Sequence, residues 1–176
     1  MNKLARFWLL ITCFLFAFQA IEARHIIGGE ITYECTNPGN YDFTMTIYRD
    51  CACTNCAYLD DVAEIAIYRC GGTSSCSSMT QGTPFTTLQI NLGQVSAVDP
   101  PDYPCLTIPP DICVEKGVYN FSASLPLSSD SYHIVYQRCC RNVTITNLIN
   151  PEDAGATYSV EINPDAQTEC NDSPTF

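Results

Sequence analysis

The sequence predicts an all-β domain, an immunoglobulin-like β-sandwich with disulfide-stapled loops, with a β-barrel as the second choice. Apolar and polar residues alternate with a period of two in several short segments, for example YDFTMTIYRD at 41–50, which is the pattern of a half-buried strand. Turn-forming sequences such as TNPGN, DPPDYP and TIPPD separate these segments. No segment sustains helical periodicity for three turns, so the strands must bury their apolar faces against another sheet.

About eight strands are expected from these patterns. Gly28 and Gly29 precede the first strand, and we expect this pair to introduce a bulge or kink where the chain enters it. The loops at 51–61 and 73–82 are rich in cysteine and are expected to protrude as cross-linked loops rather than to join the core. The predicted strands lie within 30–35, 41–50, 63–70, 88–92, 119–125, 132–136, 143–148 and 158–162.

The segment 1–23 has the pattern of a secretory signal peptide. Lys3 and Arg6 precede the apolar run FWLLITCFLFAF at 7–18, and small residues follow it as far as Ala23. The run is about a dozen residues long, short of the roughly 20 that a membrane-spanning helix needs. We therefore predict cleavage after Ala23 and a secreted or cell-surface chain that does not span the membrane.

The predicted mature chain is strongly acidic. Loss of Lys3, Arg6 and Glu22 with the signal peptide leaves six basic and 18 acidic residues, a formal net charge of −12. Such a chain repels nucleic acid, because phosphate binding requires a basic patch. The acidic residues are mostly spread singly and are interpreted as a solubilising surface. The alternative is calcium binding by oxygen-rich loops, with the candidate ligands Asp60, Asp61, Asp99 and Asp102.

Eleven of the 12 cysteines follow the predicted cleavage point. In an exported chain the expected state of such cysteines is a disulfide framework. Because their number is odd, one cysteine is expected to stay free, to pair between chains, or to pair with a part of the protein outside this sequence. The disulfide candidates are Cys35, Cys51, Cys53, Cys56, Cys70, Cys76, Cys105, Cys113, Cys139, Cys140 and Cys170.

The adjacent cysteines Cys139 and Cys140 follow a predicted strand in the stretch SYHIVYQRCCRN. Neighbouring strand residues point to opposite faces, so we expect each cysteine to bond to a different partner, with Cys51 as one candidate. Sequence alone leaves the connectivity open. Two further pairings, which would close short loops rich in proline or glycine, are Cys105 with Cys113 and Cys70 with Cys76.

Neither a metal site nor a catalytic site is expected. Cys53 and Cys56 have the C-x2-C spacing of a zinc-ligand pair, but a structural zinc site needs a second such pair, which the sequence lacks. A redox couple at this spacing needs a βαβ context, which the sequence also lacks. The segment RHIIGGE at 24–30 resembles the activated amino terminus of trypsin-like proteases, but their serine and histidine motifs are missing. His133 is interpreted as a surface or satisfied core residue. No nucleotide, phosphate or metallopeptidase motif occurs, so we expect no cofactor and no enzymatic activity.

Three long segments carry a family resemblance: ARHIIGGEITYECTNPGNYDFTMTIYRDC at 23–51, PCLTIPPDICVEKGVYNFSASLP at 104–126 and YHIVYQRCCRNVTITNLINPEDAGATYSVEI at 132–162. They are similar to the amino-terminal module of large exported surface proteins of gliding, type IX-secreting Bacteroidetes. Such gliding motility-associated or adhesin-like proteins stack immunoglobulin-like modules and end in a sorting domain. The resemblance implies a β-sandwich domain over 24–170, with 171–176 beginning a linker to a following module.

The resemblance also implies a non-enzymatic structural or adhesive role at the cell surface. The expected partners are neighbouring β-modules of the same chain, together with surface polysaccharide or protein. Arg49, Arg138 and Arg141 are rare cations on an acidic body, and they would either form an exposed rim that contacts the next module or pair with nearby acidic residues. The alternative function is a free-standing, secreted, disulfide-rich binding protein or hydrolase.

Overall fold

The structure is a computed structural model that describes residues 26–52, 57–71, 83–100, 104–105, 109, 112–142 and 144–174. The predicted signal peptide and its cleavage point lie outside the described residues, as do Cys53, Cys56, Cys76 and Asp102.

Two antiparallel four-stranded sheets pack face to face, which confirms the predicted all-β sandwich. The first sheet has the strand order β1-β2-β6-β5 and the second has the order β4-β3-β7-β8. The strands are β1 (Ile26–Asn37), β2 (Asn40–Asp50), β3 (Val62–Cys70), β4 (Thr86–Asn91), β5 (Val95–Ala97), β6 (Val114–Ser124), β7 (Ser131–Cys139) and β8 (Gly155–Ile162). A 3-10 turn at Pro151–Asp153 and one short helix, α1 (Pro164–Glu169), complete the elements of the described chain.

The core lies between the two sheets and follows the alternation read from the sequence. Because successive strand residues point to opposite faces, every second residue of β2 and of β7 faces the other sheet. Phe43 of β2 stacks on Phe121 of β6 with ring centroids 4.9 Å apart. The fully buried side chains include Tyr41, Phe43, Met45, Ile47, Ile65, Ile67, Tyr119, Leu125, Tyr132, Ile134, Tyr136 and Ile162.

The first hairpin has a bulge near Gly28 and a tight turn at Gly39. The register of β1 against β2 shifts between Ile26 and Gly28, so the bulge predicted at the start of the strand is confirmed. The turn between the strands contains Pro38 and Gly39, and Gly39 has a φ of 85°. Proline fixes φ at the first central turn position and glycine accepts positive φ at the second, so this sequence reverses the chain without strain.

Two strand assignments differ from the sequence prediction. The segment predicted as a strand at 143–148 forms turns over its described residues, because the Asn142 side chain accepts hydrogen bonds from the backbone N–H of Thr144 at 2.9 Å and from its hydroxyl at 2.8 Å. Such a local side-chain bond competes with the strand ladder. Conversely, the three-residue strand β5 was not expected, since three residues are too few for a periodic signal.

Helix α1 closes the end of the sandwich where the β6–β7 loop lies. Asn163 caps it by accepting a hydrogen bond from the N–H of Ala166 at 2.8 Å, and Pro164 occupies the first turn, where its missing N–H costs nothing. Gln167 is 1% exposed and donates to the carbonyls of Asp130 and Ile162. With six residues, α1 is far too short to cross a bilayer, and none of the described helices has the length and apolar character to do so.

The chain after α1 lies against the outer edge of β1. The hydroxyl of Ser173 accepts from the N–H of Tyr33 at 2.8 Å, and the N–H of Ser173 donates to the Tyr33 carbonyl at 2.9 Å. The carboxylate of Asp172 accepts from the N–H of Cys35 at 2.7 Å. Residues assigned from the sequence to the start of a linker therefore satisfy the backbone groups of an edge strand, which would otherwise be open to pairing with another chain.

Candidate functional site

Disulfide bonding, the main chemical expectation for the cysteines, is confirmed. Cys35 of β1 is bonded to Cys170, the residue that follows α1, with Cα atoms 5.3 Å apart. Cys51, directly after β2, is bonded to Cys113, directly before β6, with Cα atoms 5.0 Å apart. These bonds join residues 135 and 62 positions apart, so they link distant parts of the chain.

The expectation that Cys139 and Cys140 have different partners is wrong, because the two cysteines are bonded to each other. Cys139 is the last residue of β7, and Cys140 lies outside the strand with a φ of 87°. The rule that neighbours point to opposite faces holds only within a strand, and a left-handed residue turns its side chain back toward its neighbour. Cys51 is therefore not bonded to either of them.

The proposed pairing of Cys105 with Cys113 is also wrong. Cys113 is bonded to Cys51, and Cys105 is free and exposed. Cys70 is in a disulfide, and Cys76, its proposed partner, lies outside the described residues.

Two arginine side chains and two buried tyrosine hydroxyls meet at one end of the sandwich, which we call the proximal end. Here the segment 57–61, which leads into β3, covers the opening between the two sheets. Leu59 is 5% exposed and points over Gly117 of β6, where a Cβ atom would lie 2.5 Å from the Leu59 Cδ1. The absence of a side chain at Gly117 thus makes room for Leu59. The residues that mark the proximal end are Ile26, Arg49, Asp61, Glu115, Arg138 and Gly155.

Arg49 holds this segment from the first sheet. Its side chain forms an ion pair with Glu115 on the neighbouring strand, and its Nη1 donates to the carbonyl of Ala57 at 3.0 Å. Its guanidinium also lies 4.7 Å from the ring centroid of Tyr58, within the range of a cation–π contact. At 6% exposure Arg49 is buried, so the prediction that it belongs to an exposed rim is wrong.

Arg138 holds the same segment from the second sheet. Its guanidinium lies 3.3 Å from the carboxylate of Asp60 and donates a hydrogen bond to the carbonyl of Tyr58. Within the described chain its Nη1 is buried without a hydrogen-bond partner. Arg141, in contrast, donates to the carbonyl of Gly155 at 3.0 Å and forms no ion pair with a described residue. Pairing with acidic residues therefore accounts for Arg49 and Arg138, but not for Arg141.

Two buried tyrosines complete the contacts of Asp60. The Tyr136 hydroxyl donates to the Asp60 carboxylate, and the Tyr119 hydroxyl donates to the Asp60 backbone carbonyl at 2.7 Å. Burial, reinforced by the charge of Asp60, raises the pKa of Tyr119 to about 12. Burial and the hydrogen bond to Asp60 raise the pKa of Tyr136 as well. Both hydroxyls thus stay protonated at neutral pH, and their hydrogen bonds to Asp60 support the segment 57–61.

The remaining candidates from the sequence are not brought together. His133 lies on β7 with its Nε2 3.9 Å from a carboxylate oxygen of Glu161 on β8, and it is half-buried. The Asp60 carboxylate contacts Arg138 and Tyr136. Across the described residues no three histidine, cysteine or acidic side chains are grouped so that they could hold a metal ion.

The outer face of the first sheet carries cross-strand polar pairs, and we call it the polar face. The Thr44 hydroxyl donates to the Asn120 side chain at 3.1 Å, and the Ser122 hydroxyl donates to the Asp42 carboxylate at 2.6 Å. Hydroxyl and amide groups in adjacent rows on the outer face of a sheet can donate and accept hydrogen bonds with an extended polar ligand. The polar face consists of Asn40, Asp42, Thr44, Asn120, Ser122 and Ser124.

The arginine network is part of the core rather than of an exposed rim, and the strand pattern contains a signal for this. Arg49 continues the inward phase of β2, two residues after the buried Ile47. Arg138 continues that of β7, two residues after the buried Tyr136, and Glu115 precedes Gly117 in the inward phase of β6. A charged residue in phase with the core at a strand end indicates a polar layer that closes the sandwich. The role of Tyr58 left no comparable signal, because it lies between strands.

No family model matches this chain, and neither a curated protein nor a solved structure matches it.

Proposed function

We propose that this chain forms a non-enzymatic structural and adhesive module of an exported cell-surface protein, the role implied by its resemblance to gliding motility-associated and adhesin-like proteins. The observation that carries the proposal is the pair of long-range disulfides, Cys35–Cys170 and Cys51–Cys113, which link segments far apart in the chain. Disulfides of this kind form and persist in oxidising compartments outside the cytoplasm. A cross-linked sandwich is suited to a protein that must stay folded where no cellular machinery refolds it.

The polar face supports the adhesive part of the proposal. Its side chains offer hydroxyl, amide and carboxylate groups, which complement the hydroxyl groups of a polysaccharide. The strongly acidic composition disfavours anionic polymers, so a neutral surface polysaccharide is the ligand class that we propose. Asp42 and Ser122 lie at the middle of this face, and Thr44 and Asn120 lie next to them, on adjacent strands that are in register.

The experiment has two arms. In intact producing cells, the module carrying an epitope tag should be accessible to added protease and antibody, and both long-range disulfides should be formed. In the second arm, binding of the purified module to immobilised neutral polysaccharide should weaken in the variant Asp42→Ala/Thr44→Ala/Asn120→Ala. A matched control, Thr157→Ala/Ser159→Ala on the exposed face of β8, should bind normally.

A cytoplasmic, fully reduced protein would refute the proposed location. Binding to a purified surface protein but to no polysaccharide would refute the ligand class and retain the adhesive role. Turnover of a substrate by the purified chain would refute the non-enzymatic role and favour the hydrolase alternative.

A further inference from the structure

The bond between Cys139 and Cys140 differs in kind from the two long-range disulfides. Cys35 and Cys170, like Cys51 and Cys113, are placed opposite each other by strands and loops that are themselves held by hydrogen bonds and packing. If such a bond opens in the folded protein, its two sulfur atoms stay close and the bond re-forms. The folded structure therefore protects the long-range disulfides against exchange.

The sulfur atoms of Cys139 and Cys140 are not held opposite each other by two separate parts of the fold, because the two residues are adjacent in the chain. Their bond closes a small ring through a single peptide unit, and within that ring Cys140 adopts a φ of 87°. This conformation is unfavourable for a residue with a Cβ atom. Once the bond opens, the steric preference of Cys140 for negative φ, where the two side chains diverge, acts against the backbone hydrogen bonds of Cys140 and Arg141. Closure of the ring is thus opposed by the backbone preference of one of its own residues.

Access and charge also favour attack at this position. Cys139 is exposed, whereas Cys35 packs against the hydrophobic core. Cys113 is exposed too, so access alone does not distinguish the pair from Cys51–Cys113. Arg141, the residue after Cys140, forms no ion pair among the described residues. On a protein of net charge −11, such a cation favours approach of an anionic thiolate and stabilises the thiolate that leaves.

We propose that Cys139–Cys140 is a thiol-exchange site, opened by small thiols in the surroundings of the protein while the long-range disulfides stay closed. A thiolate attacks the Sγ of Cys139, an exposed residue, forms a mixed disulfide with it and releases Cys140 as a thiolate, which takes up a proton. A second thiol attacks the mixed disulfide and releases Cys139. The protein gains two electrons and two protons, and the two small thiols leave as one disulfide.

Opening the disulfide between Cys139 and Cys140 should change the hydrogen bonds that hold the loop after β7. The N–H of Cys140 donates to the carbonyl of Ala154 at 3.2 Å, and that of Arg141 donates to the carbonyls of Pro151 and Ala154 at 3.1 and 3.3 Å. These bonds join the start of the loop, at Cys140 and Arg141, to its end, at Pro151 and Ala154. Between them the loop carries Ile149, which is 92% exposed. A change of φ at Cys140 rotates the donors of this anchor, so exchange at the cysteines alters how the loop is presented.

The test uses the purified, oxidised protein under native conditions. Cys105 is first blocked with N-ethylmaleimide, since it is free and exposed. Glutathione is then added in increasing concentration, new thiols are trapped with iodoacetamide, and labelled cysteines are identified by mass spectrometry. Far-UV circular dichroism and amide hydrogen exchange are followed at each concentration. The variant Cys139→Ser/Cys140→Ser is the matched control.

We expect labelling of Cys139 and Cys140 at a glutathione concentration about tenfold or more below that which labels Cys35 or Cys51. The circular dichroism should be unchanged at that point, while the amides of Cys140 and Arg141 exchange faster. The double serine variant should show no labelling in the same range. The proposal is overturned if Cys51–Cys113 or Cys35–Cys170 opens first or at the same concentration. Loss of the β-sheet signal together with the labelling, which would mean that exchange requires unfolding, overturns it as well.

Discussion

Removal of the Cys35–Cys170 bond gives the most direct measure of what the cross-links contribute. The bond closes a loop with a sequence separation of 135. The chain-entropy account of disulfides assigns about 5 kcal/mol to a loop of this length, and losses measured for native disulfides are typically about 2–5 kcal/mol. A domain of this size has a free energy of unfolding of roughly 5–15 kcal/mol. The substitution Cys35→Ala/Cys170→Ala should therefore remove a large fraction of the total stability.

The matched control is Cys139→Ala/Cys140→Ala, since these residues are adjacent and their bond closes no chain loop. We expect this variant to lose less than about 1 kcal/mol, because the lost bond is offset by release of the unfavourable φ at Cys140. Urea unfolding followed by circular dichroism gives both free energies under non-reducing conditions. Equal losses in the two variants, or a loss below about 1 kcal/mol for the long-range pair, would refute the loop-entropy reasoning.

Three further predictions concern the core and the first turn. Arg49→Met should destabilise the fold by about 3 kcal/mol in urea titrations, because it leaves Glu115 partly buried without its cation. Adding Glu115→Gln should restore part of this stability, and a double variant no more stable than Arg49→Met would contradict the reasoning. Folding raises the pKa of Tyr119 to about 12 and also raises that of Tyr136. Below pH 10 the folded and unfolded chains both keep these protons, whereas between about pH 10 and 12 only the folded chain keeps them, so the free energy of unfolding should fall as the pH rises through this range. The variant Tyr119→Phe/Tyr136→Phe should show a smaller fall in Tm over that range, and an unchanged slope would count against the assignment. Gly39→Ala should cost about 1–2 kcal/mol because of the φ of 85°, and Gly39→Asn should cost less, as thermal unfolding can show; equal losses would argue against backbone conformation as the cause.

The strands were predictable because strand formation leaves a local pattern. In β2 the apolar residues at every second position are those that the second sheet covers, so burial can be read from neighbours in the sequence. The bulge at Gly28 was predictable for the same reason, since it depends on two adjacent glycines. The false strand at 143–148 shows the limit of the pattern. There the Asn142 side chain provides hydrogen bonds that compete with a sheet, and alternation alone does not reveal such competition.

The cysteine connectivity was not predictable, because it depends on which residues the fold brings together. Cys51 meets Cys113 only because β2 and β6 pair in a register that places Asp50 beside Val114. The pairing of Cys139 with Cys140 depends on the residue at which β7 ends, and strand ends are the least certain part of any sequence assignment. The inward-facing position of Arg49 on β2 was predictable from the alternation of the strand, but its ion pair with Glu115 on β6 was not.

The Cys35–Cys170 bond also determines how tension would pass through this domain. A force applied to the chain before Ile26 and after Ser173 runs along β1 to Cys35, crosses the sulfur–sulfur bridge and leaves at Cys170. Everything between these two cysteines is shielded from the pull, which withholds about 450 Å of extensible chain at the usual length per residue. The domain would behave as a nearly inextensible link, in which only the first part of β1 and the short tail could be drawn out.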